Sequence, residues 1–146
     1  MSQENKGILH RWCDEGFNEG NVELADQLYD VDVRYFEPAA GEVRGLTALK
    51  QFVQSWRTAF PDARLRIEEQ VAEGDRVATR WTFTGTHQGT FRGVPPTNEK
   101  ITMGAMYFYR IASGKVVEIH AMVDSLGLMR QLGALPSIGQ GNVKTV

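Results

Sequence analysis

Among the side chains of this 146-residue chain that could do chemistry, one acid stands in an unusual place. Asp124 closes the apolar run HAMV and opens LGLMRQLG, where a strand should be burying its side chains. An acid there has two uses. Enclosed among Met103, Met122 and aromatic rings, its neutral form is favoured, its pKa rises, and one carboxylate can both remove and return a proton. Left at the surface, it caps the helix that follows, a position for which Asp is preferred. His120, on the same run, and Tyr107 are candidates to assist proton transfer or to orient a ligand by a hydrogen bond. Nucleophilic and metal chemistry find less support. The lone Cys13 reads as a small buried apolar residue. The chain has no GxSxG elbow and no HExxH, and His10, His87 and His120 fall on three different elements, so neither a metal nor a cofactor is expected.

The elements that must position these groups follow from periodicity. Ile8, Leu9, Trp12, Cys13 and Phe17 recur at helical spacing and predict a helix over 3–18, stopped by NEGN. A second helix is expected over about 21–29, then an extended VRYFEP and a flexible AAGEVRG. A third helix spans about 46–59, with Leu49, Phe52, Val53 and Trp56 on one side and Pro61 as its stop. From Ala63 onward the period is two. Four strands are expected over 63–72, 76–87, 100–111 and 115–124, paired as hairpins at GD and ASGK. A short helix or turn should follow Asp124, and the tail 137–146 reads as loose. The long polar loop GTHQGTFRGVPPTNEK carries His87 on a rim. The whole is one α+β domain, with helices covering one face of a twisted antiparallel sheet and leaving a cone.

Strand parity decides which side chains face that cone. Pairing across GD sets Leu65, Ile67, Glu69 and Val71 inward with Ala78, Arg80, Thr82 and Thr84, and Trp81 and Phe83 outward. Pairing across ASGK sets Tyr107 opposite His120 and Met103 opposite Asp124. Met103, Ala105, Tyr107, Tyr109, His120, Met122 and Asp124 then line the inside, while Val117, Ile119 and Val123 face out. The outer surface becomes one apolar patch, the mark of a subunit interface, so a homodimer through the outer sheet face is expected. The inner face mixes aromatics, methionines and a few ionisable groups, as a small-molecule pocket does.

Charge and hydropathy restrict the partners. Sixteen basic and eighteen acidic residues give a net charge of −2 without a basic stripe, so nucleic acid is not an expected partner. The start MSQENKGILHR lacks a signal-peptide core, and no apolar run approaches the roughly 18–20 residues of a membrane span, so no membrane is involved and the expected location is cytoplasmic.

A helix ending in NEGN, then AFPD, EGDRVATRW, GTH, PPT and DSLGL in that order, resembles the SnoaL-like polyketide cyclases, or ester cyclases, over about residues 4–136. The resemblance implies the cone-shaped α+β barrel of the nuclear transport factor 2-like superfamily. It also implies that Asp124, in the DxLGL element, is the acid/base of an intramolecular aldol closure; His120 and Tyr107 are expected, from the residues themselves, to polarise or orient. Phe36, Met103, Met122, Arg80, His87 and Trp12 are the expected substrate-binding residues. Many members carry His or Asn where Phe36 stands, His or Asp where Tyr107 stands, and Trp where His120 stands. The expected ligand is a hydrophobic, carbonyl-bearing small molecule. An isomerase or epoxide hydrolase-like enzyme, or a binding module without turnover, are the alternatives on the same scaffold.

Overall fold

The computed structural model of the protein describes residues 2–135; the tail 137–146 expected to be loose lies outside the described residues. Helix α1 (Ser2–Arg11) runs directly into a π-helical segment (Trp12–Asn18). The predicted stripe Leu9, Trp12, Cys13 and Phe17 is buried. Gly16 is required by that packing: a Cβ there would lie 2.2 Å from the Trp12 ring, which rests on the glycine. A 3-10 turn (Val22–Leu24) and the single turn α2 (Ala25–Leu28) follow. Helix α3 (Leu46–Ala59) has the predicted bounds and buries Leu49, Trp56 and Ala59.

The strands are β1 (Tyr29–Glu37), β2 (Gly41–Arg44), β3 (Arg64–Glu73), β4 (Arg76–Thr86), β5 (Lys100–Ala112) and β6 (Lys115–Val123); α4 (Ser125–Gln131) ends the described elements. They form one curved sheet in the order β2-β1-β6-β5-β4-β3, not closed into a barrel. The fold is α+β as expected, with six strands rather than four. The segment AAGEVRG is not simply a loop: Gly41–Arg44 folds back on β1 and pairs Tyr35 with Val43. Strand β1 also lies parallel to β6, with Phe36 beside His120, a contact between distant segments that no local turn signal announces.

Both hairpins begin in the predicted register, and both then slip. Across GD, Glu73 pairs with Arg76, Val71 with Ala78 and Glu69 with Arg80, but Ile67 pairs with Trp81 and Leu65 with Phe83. Across ASGK, Ala112 pairs with Lys115 and Ile111 with Val116, but Arg110 pairs with Glu118 and Tyr107 with Ala121. Each slip is a β-bulge, at Glu68 and at Val117. One extra residue reverses its own strand against the partner, so faces carried across the pairing from one side of the bulge are wrong on the other. Trp81 and Phe83 therefore point inward and are buried, as are Ile119 and Ala121. Arg80, His120 and Met122 point outward and are exposed, which corrects their expected inward placement. The Arg80–Glu69 pair exists, at 3.2 Å, on the outer face.

Candidate functional site

Under the helices, the inner face of the sheet encloses an apolar cavity of about 90 Å³. Its wall comes from every layer. The first helical unit gives Trp12 and Phe17; α3 gives Leu49, Phe52, Val53 and Trp56; and the strands give Tyr29, Tyr35, Trp81, Met103, Tyr107, Tyr109 and Val123. Trp12, Met103 and Tyr107 thus reach the cavity as expected. The aromatic rings interlock edge to face, Tyr35 with Tyr107 at 5.9 Å between centroids and Trp81 with Tyr107 at 6.2 Å.

Apart from Lys50, whose ammonium is held by Glu23 and Asp26, and the Trp81 N–H, the polar groups of this cavity are phenols. Trp81 Nε1 donates to the Tyr109 hydroxyl at 3.1 Å. The hydroxyls of Tyr35 and Tyr107 lie 3.3 Å apart, and Tyr35 donates to Glu37 Oε1 at 3.5 Å. Glu37 has a wholly buried side chain at the end of β1. Its Oε2 accepts the backbone N–H groups of Ala39 and Ala40 at 2.7 and 2.9 Å, and the Arg92 guanidinium stands 3.8 Å from Oε1. Burial pushes the Tyr107 phenol up to about 12 and holds the Tyr29, Tyr35 and Tyr109 phenols above their ordinary value. All four keep their protons at neutral pH.

Glu37, Tyr35 and Arg92 were not among the sequence candidates. The signal for the first two was present in the alternation of Val33, Tyr35 and Glu37, all buried on one face of β1. Arg92 sits at φ 48° in the two-residue turn between Phe91 and Val94, a conformation unusual for a residue with a side chain. Its guanidinium lies 4.9 Å over the Phe91 ring and 5.7 Å over that of Trp56.

Asp124 is exposed and caps α4 rather than facing the cavity. Its Oδ1 accepts the Gly127 N–H at 2.9 Å. A Cβ on residue 127 would lie 2.1 Å from the Asp124 carboxylate, so the glycine of DSLGL makes room for the cap. The cavity-facing residues of this strand are Ile119 and Val123, because the bulge at Val117 reverses the faces.

Four other expected ligand contacts meet on the opposite side of the sheet. Phe36 stacks on His120 with ring centroids 4.7 Å apart, while Arg34 covers Phe36 from 4.8 Å. Phe36, His120, Met122 and Arg80 line a shallow outer groove of about 950 Å³, which Tyr107 and Glu37 also line. His120 Nε2 contacts Glu118 at 3.3 Å. His87 is fully buried and joins neither site. Its backbone bonds Glu99 and Asn98, and its Nδ1 accepts the Thr97 N–H at 3.2 Å, so it clamps the base of the rim loop against Phe60.

Comparison with known proteins agrees with this geometry. The sequence profile of the SnoaL-like polyketide cyclases matches residues 7–132. The nogalonic acid methyl ester cyclase of Streptomyces nogalater is 31% identical over 121 residues, covering 80% of this chain and 89% of that protein. Among solved structures, AclR from Streptomyces galilaeus is 29% identical with a TM-score of 0.83, covering 93% of this chain and 89% of that one. TsrD from Streptomyces laurentii is 27% identical, also with a TM-score of 0.83, covering 92% and 98% respectively. With a profile match across most of its length and a fold to agree with it, the chain belongs to the SnoaL-like polyketide cyclase family.

Proposed function

We propose that the protein is a cyclase-type enzyme that moves protons on a hydrophobic, carbonyl-bearing small molecule held in the inner cavity. Family membership and the similar nogalonic acid methyl ester cyclase support a ring-closing reaction class, and the aldol type of closure rests on the resemblance carried by the DxLGL element. The observation that carries the site is the Tyr35–Tyr107 hydroxyl pair, 3.3 Å apart in an otherwise apolar enclosure and backed by a buried carboxylate. An aldol closure needs a proton taken from carbon and one given to oxygen, with no net change; the Tyr107 oxygen takes the first as the Tyr107 and Tyr35 protons each move one place toward the Glu37 carboxylate, and the same relay in reverse gives it back to oxygen. Tyr107, on the cavity wall, is the group we assign to contact the reacting part of the ligand. A second reading keeps Asp124 as the acid/base, on the strength of its place in the DxLGL element.

The enclosed space is smaller than the roughly 300–1,000 Å³ of typical small-molecule sites. A multi-ring substrate therefore requires the Leu49–Phe52–Val53 wall of α3 to give way. The test is turnover of nogalonic acid methyl ester, read as a product of unchanged mass and altered absorbance, by the native protein, Tyr107→Phe and Asp124→Asn. Loss of activity in Tyr107→Phe alone supports the cavity reading. Loss in Asp124→Asn alone supports the second. Ligand binding without conversion in the native protein would make the chain a receptor.

A further inference from the structure

We infer that Glu37 fixes the hydrogen-bond polarity of the cavity, making Tyr107 an acceptor that selects ligands carrying a hydroxyl donor, such as an enol or a phenol. This rests on reading the cavity as the ligand site. The argument starts at the buried carboxylate. Every group that faces Glu37 is a donor: two backbone amides on Oε2, and the Arg92 guanidinium and the Tyr35 hydroxyl on the Oε1 side. That surrounding suits an ionised carboxylate, which can only accept. The single proton of Tyr35 is then committed to Glu37. The 3.3 Å contact between the two hydroxyls consequently takes the proton of Tyr107. What Tyr107 offers the cavity is a pair of electrons and no hydrogen.

A ligand hydroxyl meets that oxygen as a donor. A ketone or ether oxygen in the same place sets lone pairs against lone pairs. Tyr109 is arranged in the opposite sense, since its oxygen already takes the Trp81 N–H and its own proton is free to give. Tyr107 is thus a fixed acceptor and Tyr109 an available donor on the cavity wall, suited to a ligand with both a hydroxyl and a carbonyl. The raised phenol pKa values keep this order of protons intact through neutral pH.

Glu37 is a positioning residue in this scheme, and changing it should reverse the sense of the chain. In Glu37→Gln the Ala39 and Ala40 amides hold the new carbonyl oxygen where Oε2 stood, which turns the NH2 group toward Tyr35. Tyr35 then accepts from it and donates to Tyr107, and Tyr107 donates to the ligand. Tyr35→Phe tests the same link without touching the buried charge, by releasing the Tyr107 proton.

The experiment compares the affinities of cyclohexanol and cyclohexanone, near-equal in size, by calorimetric titration of the native protein and both variants. The native protein should bind the alcohol on the order of tenfold more tightly, the cost of an unmet buried polar group. That preference should vanish or invert in Glu37→Gln and vanish in Tyr35→Phe. Equal affinities in the native protein would overturn the polarity while leaving the cavity as a binding site. An unchanged preference in both variants would overturn the role of Glu37. Failure of both probes to bind would remove this inference together with the cavity reading.

Discussion

Replacing Asp124 separates its two possible roles by magnitude. In the structure its carboxylate makes one hydrogen bond at the surface, to the Gly127 amide at the start of α4. The helix has other anchors: Leu128 is fully buried, and the Gln131 side chain both donates to Thr102 O and accepts from Thr102 N. Loss of the cap therefore frays the first turn without releasing the helix. Asp124→Ala should cost about 1 kcal/mol, or a fall in Tm of about 3 °C for a domain of this size. Asn caps nearly as well as Asp, so Asp124→Asn should cost only a few tenths of a kcal/mol. Denaturant unfolding and thermal melts of both variants give these values. Turnover by Asp124→Asn should stay within a few-fold of the native rate. A well-folded Asp124→Asn protein with turnover reduced a hundredfold would refute the reasoning and put the carboxylate on the substrate.

Three further outcomes follow from the packing. Gly16→Ala should destabilise by about 1–3 kcal/mol, because the new methyl collides with the Trp12 ring and the overpacked helix must shift; chemical denaturation measures it. The buried tyrosines make the fold sensitive to alkali. Their folded pKa values are raised, so the unfolded chain loses protons first; their contribution is complete below pH 10 and, for Tyr107, is lost as pH rises from 10 to about 12. Unfolding curves at pH 8 and 11, with phenolate absorbance as a second signal, should show the loss. Finally, Val71, Met106, Phe108 and Met122 are 64%, 62%, 52% and 64% exposed on the outer sheet face, an apolar surface that we propose pairs two copies. Light scattering should find a dimer, and Phe108→Glu should convert it to a monomer; a native monomer at working concentration would remove that assignment.

Much of the scaffold was legible because its signals are local. The α3 stripe and Pro61 bound that helix correctly, and GD and ASGK located both hairpins and the first pairs of their registers. The bulges were not legible. Nothing in the composition around Glu68 or Val117 marks an extra residue, and each slip moved a set of predicted contacts through the sheet. Met103 and Tyr107 stand on β5, which carries no bulge, and were placed correctly; His120 and Met122 follow the bulge in β6 and were not. The pairing of β1 with β6 was equally hidden, because it joins segments about 85 residues apart with no turn between them. Glu37 stands on a buried face that the alternation of β1 does show, but its link to Tyr107 needs β6 to lie between β1 and β5, which no local signal announces.

The strand order also governs when this protein can fold. The last of the described strands to be made, β6, lies third in the sheet, between β1 and β5. Until it emerges from the ribosome, β1 with β2 and β5 with its hairpin partners are two separate pieces with unsatisfied edges. A nascent chain ending near residue 112 would have to wait, exposed to aggregation, for about a dozen residues to join its two halves.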